Sequence, residues 1–150
     1  MPGKILIAYA SKSNAAAQHA GAIAGALRAA GREVDILNLR EARKPSLEGY
    51  GAVIIGSGVR MGRWYGPAKR LLKRKELASV KVALFVACAT ACDKSKRQFA
   101  ADQYVEPMRS RYGIDFVSGI ALPGHMPGVK GEALKTSSSQ RWARELADIL

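Results

Sequence analysis

Acidic side chains, cysteines and long apolar runs are all scarce in this chain. Asp and Glu number 12 in 150 residues against 24 Lys and Arg, which leaves a net charge of +12. An excess of that size implies an acidic partner: nucleic acid, an anionic membrane surface, an acidic protein or a polyanionic small molecule. A solvated basic surface is the plainer alternative. No apolar run approaches the roughly 20 residues of a membrane-spanning helix, so no transmembrane segment is expected; peripheral membrane contact stays open. The two cysteines, Cys88 and Cys92, are four apart and do not form a C-x-x-C motif. The first residues run straight into an apolar strand pattern without the basic-apolar-small layout of a signal peptide, so a cytoplasmic location is expected. No His/Cys/carboxylate group has metal-ligand spacing. No repeat and no composition break divides the chain, so residues 1–150 are expected to form one domain.

What is present is alternation. Residues 4–9 are continuously apolar, the mark of a parallel strand covered on both faces. Ala20, Ile23, Ala24, Leu27 and Ala30 then follow helical spacing, with Gly31 placed to end the helix. Further strands are expected at 33–37, 52–56, 80–87 and 115–122. Residues 57–66 show neither helical nor strand periodicity, and long loops of that kind usually serve function. Pro67 suits the first turn of a helix over 67–77. A loop at 88–93 leads to a helix from about Lys94, which Pro107 should interrupt. Residues 123–135 form no clear element. A last helix turns Trp142, Leu146 and Leu150 inward. Alternation of this kind predicts an α/β fold: a three-layer α/β/α sandwich around a five-stranded parallel sheet in the order 2-1-3-4-5.

In such a sheet the carboxyl ends of the first, third and fourth strands meet at one crevice. Those ends carry residues 11–14, 57–66 and 88–93. The first turn is a strand-to-helix junction, where free backbone N–H groups and the helix dipole form an anion site. Ser11 and Ser13 add hydroxyls and Lys12 a charge; a plain N-cap is the other reading. Several chemistries are excluded. A receiver domain needs carboxylates where Ser11 and Ser57 stand. The nearest approach to a dinucleotide glycine pattern, Gly56-Ser-Gly58-Val-Arg-Met-Gly62, follows the third strand rather than the first. A P-loop is absent, and Cys92-Asp-Lys-Ser-Lys-Arg97 is one residue short for a cysteine-phosphatase loop. No residue of the crevice is an obvious general base, so no catalytic residue is assigned.

One family accounts for all three loops. Ile5-Leu-Ile-Ala-Tyr-Ala-Ser-Lys-Ser13, Tyr50-Gly-Ala-Val-Ile-Ile-Gly-Ser-Gly-Val-Arg-Met-Gly-Arg-Trp64, Val82-Ala-Leu-Phe-Val86 and Trp142-Ala-Arg-Glu-Leu146 together resemble the flavodoxin family over essentially the whole chain. The second block is the most specific. It resembles the branch that includes the menaquinone-dependent protoporphyrinogen dehydrogenases. The resemblance implies a flavodoxin-like fold and bound FMN, in an electron carrier or a flavin-dependent oxidoreductase. It implies that Ser11, Lys12, Ser13, Asn14, Ala15 and Ala16 line the phosphate. Gly58, Val59, Arg60, Met61 and Gly62 would pass beside the ring, with Trp64 or Tyr65 stacked on it. Cys88, Ala89, Thr90, Ala91 and Cys92 would border the other side. It also implies an acidic redox protein, or an anionic quinone or porphyrin system, as partner.

Two departures from the family pattern matter. The family's phosphate loop usually reads Ser-x-Ser-Gly-Ser/Thr-Thr, and here its last three positions are Asn14, Ala15 and Ala16. Asn tolerates the left-handed backbone of such a turn, but two hydroxyl donors are lost. The long basic and aromatic insertion of the protoporphyrinogen dehydrogenases is replaced by the short segment 123–135. The alternative is therefore an FMN-free flavodoxin fold acting as a basic module for an acidic partner. Its nucleic-acid form is disfavoured, because basic and aromatic residues are not interleaved. Cys88 and Cys92 are expected to be inert thiols, with a redox pair as the alternative. His19 is expected at the surface, and His125 is given no role. The basic run from Lys69 to Lys75 forms one block with Arg60 and Arg63, either a solvated face or a docking face.

Overall fold

The computed structural model describes residues 3–12, 14–124 and 135–150. Ser13, His125 and positions 125–134 of the expected Pro/Gly segment lie outside the described residues. Four parallel pairings build the sheet from β2 (Val34–Asn38), β1 (Lys4–Ala10), β3 (Tyr50–Arg60), β5 (Lys81–Cys88) and β6 (Ser118–Pro123), in that order. A two-residue strand, β4 (Arg63–Trp64), pairs antiparallel with the end of β3. The expected path 2-1-3-4-5 is thus found, with β4 inserted as a sixth strand that shifts the numbering.

Alternating side chains send each central strand into two cores, which is why the strands read as unbroken apolar runs. Ile5, Ile7, Ile54 and Phe85 pack with α1 (Ala15–Ala29) and α5 (Ser137–Ile149). Leu6, Val53, Ile55 and Leu84 pack on the other face with α2 (Gly66–Leu72), α3 (Arg97–Tyr104) and α4 (Pro107–Tyr112). Gly31, at φ +85°, follows the end of α1 as expected.

Several boundaries move. The helix expected over 67–77 stops at Leu72, and a 3-10 turn follows at Lys75–Ser79. Between them Arg74 is extended; its guanidinium donates to the Pro45 carbonyl (3.0 Å) and pairs with Glu76. The helix expected from Lys94 is a 3-10 turn followed by α3. The chain breaks before Pro107, which opens α4, as its missing N–H and fixed φ favour. Residues 57–66 were expected to lack strand structure but form a hairpin. Val59 pairs with Trp64 and Arg60 with Arg63, and Met61 (φ +52°) and Gly62 (φ +76°) make the turn. Two consecutive positive φ values match the right-handed twist of a tight hairpin. Gly accepts that conformation freely, whereas Met gives no sequence signal for it.

His19 is the clearest correction. It was expected at the surface and is 0% exposed. It shares the inner stripe of α1 with Ala16, Ala20 and Ile23, and its ring is satisfied there. Nε2–H donates to the Pro123 carbonyl (2.7 Å), and Nδ1 lies 3.1 Å from Ser139 Oγ. A buried polar group paired in this way ties α1 to β6 and α5.

Gly56 shows how closely the sheet is filled. A Cβ there would fall 2.0 Å from the Phe85 ring, which also meets Trp142 edge-on at 6.2 Å. Gly56→Ala should therefore destabilise the protein by about 1–3 kcal/mol through overpacking. A urea midpoint equal to the parent's would show that the ring yields freely.

Candidate functional site

The ends of β1, β3 and β5 place three short segments side by side. At the first, Asn14 holds a left-handed conformation (φ +68°), the geometry expected of the residue standing where the family has glycine. Its carbonyl accepts the N–H of Gln18 (3.1 Å), and its side chain caps nothing. The first-turn amides of α1 therefore have neither an intrahelical acceptor nor a cap from Asn14. Ala15 and Ala16 are buried, with their methyl groups in the core, so at these positions only the backbone offers donors. Ser11 Oγ is buried and has no hydrogen-bond partner among the described residues. A buried hydroxyl without a partner is costly, so this atom marks a place built for something more. Arg40, just beyond β2, donates to the Ser11 carbonyl (3.3 Å) and adds a cation that the sequence had not marked.

The second segment is the β3–β4 hairpin. Ser57 is fully buried at its base. Its Oγ accepts the N–H of Tyr65 (3.0 Å) and donates to the Gly58 carbonyl (2.6 Å). This clamp lays the Tyr65 ring across Gly58, where a Cβ would come within 2.8 Å of the ring. The Lys12 ammonium reaches over the Tyr65 ring at 5.5 Å from its centroid and links the first segment to the second. The two candidate aromatics part ways. Trp64 is only 4% exposed, packs in the core and donates its indole N–H to the Tyr104 carbonyl (2.7 Å). Tyr65 is half-buried beside the crevice. Val59 is half-buried and Arg60 exposed, and Met61 projects from the hairpin tip at 92% exposure.

The third segment is a 3-10 turn, Ala89–Cys92, stepping off β5. Ala91 is buried, Thr90 and Cys92 are half-buried, and Ala89 is exposed. Both thiols are free. Burial pushes the Cys88 thiol up, which keeps it protonated near neutrality. Cys92 Sγ donates to the Gly124 carbonyl (3.1 Å), and the Gly124 N–H donates to the Cys88 carbonyl (2.8 Å). Among the described residues no group of three His, Cys, Asp or Glu could hold a metal ion. The ion pairs among them are Lys4–Asp35, Arg74–Glu76, Arg109–Glu106 and Arg109–Asp115. None of these draws on Lys12, Arg40, Arg60 or Arg63, so among the described residues no ion pair neutralises these four cations. Among the described residues, a buried hydroxyl without a partner, helix-start amides without an intrahelical acceptor and cations outside any ion pair suit an anion, and a tyrosine face suits a flat ring beside it.

A family model described as a flavodoxin domain matches residues 6–115. The chain belongs to that family. Flavodoxin 1 of Bacillus cereus shares the fold with a TM-score of 0.68 at 19% identity, covering 98% of this chain and 99% of that one. An NAD(P)H:quinone oxidoreductase of Methanothermobacter marburgensis gives a TM-score of 0.68 at 12% identity, covering 98% and 95%. The rubredoxin oxygen:oxidoreductase of Desulfovibrio gigas gives 0.62 at 13% identity over 97% of this chain, which spans only 34% of that protein. Among curated proteins nothing matches. By name these neighbours are one flavodoxin and two oxidoreductases, and at such identities they establish the fold alone.

Ser57 was read from sequence only as a position lacking a carboxylate, yet it holds the second segment in place. Ser57→Ala would strand the part-buried Tyr65 N–H and lower stability by about 1–3 kcal/mol. Chemical denaturation checks this, and an unchanged midpoint would mean that water replaces the hydroxyl.

Proposed function

We propose that the protein is an FMN-binding redox protein whose cofactor lies in the crevice between these three segments. The buried Ser11 Oγ, without a partner among the described residues and beside the left-handed Asn14 turn, carries the reading. Ser11, Lys12, Asn14 and the backbone of Ala15 and Ala16 hold the phosphate in this reading, together with Ser13. Residues 58–62 and Tyr65 lie along one side of the flat ring, and residues 88–92 along the other. FMN supplies one- and two-electron transfer when bound. The chain's own task is to bind it, to orient its ring and to stabilise negative charge that arrives with the electrons. Lys12, Arg40, Arg60 and Arg63 serve that last role through space. Trp64 is left out of the ring contacts because its indole is enclosed. No residue is assigned as a catalytic acid or base.

Cations outside any ion pair among the described residues favour a partner of opposite sign: an acidic redox protein, or an anionic quinone or porphyrin. The proposed location is cytoplasmic; no helix among the described residues is long and apolar enough to cross a membrane. Protoporphyrinogen dehydrogenase chemistry is the narrowest form of this proposal. A second reading has its own support. Ala15 and Ala16 offer no hydroxyls, and Lys12 already covers the Tyr65 face, as in a flavin-free module that docks an acidic protein through its basic surface.

FMN fluorescence separates the two. The first reading expects quenching at micromolar protein, and a colourless protein blind to FMN supports the second. Ser11→Ala removes the hydroxyl on which the reading rests. A hydrogen bond to a charged group contributes about 1.5–3 kcal/mol, so this variant should bind FMN about tenfold to a hundredfold more weakly. Unaltered affinity would place the phosphate elsewhere.

A further inference from the structure

A second cavity opens on the flank of the β3–β4 hairpin, between it and helices α2, α3 and α4, with a volume of about 410 Å³. Three cations from three separate elements line it: Arg63 on β4, Lys69 on α2 and Arg111 on α4. Among the described residues no acidic side chain lines it. None of the three cations forms an ion pair among the described residues, whereas Arg109, also on α4, is held by both Glu106 and Asp115. Like charges gathered around one concavity repel unless an anion joins them. The rest of the wall is not generically polar: Tyr104, Tyr112 and Pro107 contribute flat or ring-shaped surface. The volume lies at the small end of ligand cavities, where one or two fused rings fit.

We propose that this cavity binds a small aromatic anion, a conjugated ring carrying a phosphate or carboxylate. The acidic group meets Arg63, Lys69 and Arg111, and the ring lies against Tyr104 and Tyr112. Charge-assisted contacts from guanidinium groups and stacking on tyrosine are the recognition chemistry. Met61 and Gly62 belong both to this cavity and to the loop assigned to the flavin ring. If the flavin reading holds, the bound anion occupies the place of an electron donor or acceptor beside the cofactor. The cavity itself needs no flavin.

The test is calorimetric titration of the full chain, flavin-free, with 1-naphthyl phosphate, 2-naphthoate and the uncharged 2-naphthol. The expected result is that at least one anion binds about tenfold or more tightly than 2-naphthol. Comparing the two anions shows whether phosphate or carboxylate is preferred. Arg111 forms no side-chain hydrogen bond or ion pair among the described residues, and Arg111→Gln should weaken the favoured anion about tenfold or more. Arg109→Gln removes the same net charge from the same helix and should leave affinity within about twofold. Equal binding of 2-naphthol, no binding by either anion, equal loss in the two arginine variants, or competitive displacement by FMN would each overturn the proposal. A protein that ignores FMN but shows the expected pattern loses the flavin reading and keeps this one.

Discussion

The site depends on how the chain leaves β1 and β3. These strands are neighbours and run in parallel, yet the chain turns to opposite faces of the sheet at their ends. After β1 it enters α1, which packs with α5 on one face. After β3 it passes through the hairpin into α2, on the other face. Right-handed crossovers from adjacent parallel strands force this divergence, and a cleft opens where the two connections part. Both faces must be apolar for the sheet to be covered in this way, and the alternating inward side chains of β1, β3 and β5 meet that demand. The packing that stabilises the sheet therefore also creates the crevice.

The fold was legible because its strongest signals are periodic. Continuous apolar runs of strand length and an alanine-rich helical stripe leave few arrangements open. The hairpin was not legible, since Met61-Gly62 is not a recognisable turn pair and only pairing with β3 makes Arg63 and Trp64 a strand. His19 was misplaced because a polar residue on a helix is read outward by default; its partners at Pro123 and Ser139 lie more than 100 positions away. Trp64 was recognised by type but not by direction. Its indole reaches Tyr104 across the core, a contact that no local pattern encodes.

Position also explains which site residues the sequence could and could not supply. Asn14 was readable because a left-handed turn at a strand-helix junction constrains residue type. Ser57 and Arg40 were not, since each matters through a partner brought close only by the sheet: Tyr65 in one case, Ser11 in the other. The net charge of +12 gave a sign without an address. Among the described residues the ion-paired carboxylates are Asp35, Glu76, Glu106 and Asp115, and their partners are Lys4, Arg74 and Arg109. Cations without ion-pair partners among the described residues gather beside the crevice and on the flank of the hairpin.

The most direct measurement is a backbone-amide NMR map of the protein before and after addition of FMN. The flavin crevice predicts the largest shifts at the amides of residues 11–17, with smaller ring-current shifts at 57–65 and 88–92. Shifts confined to Arg63, Lys69 and α4, or none at saturating FMN, would contradict a cofactor site at the ends of β1, β3 and β5.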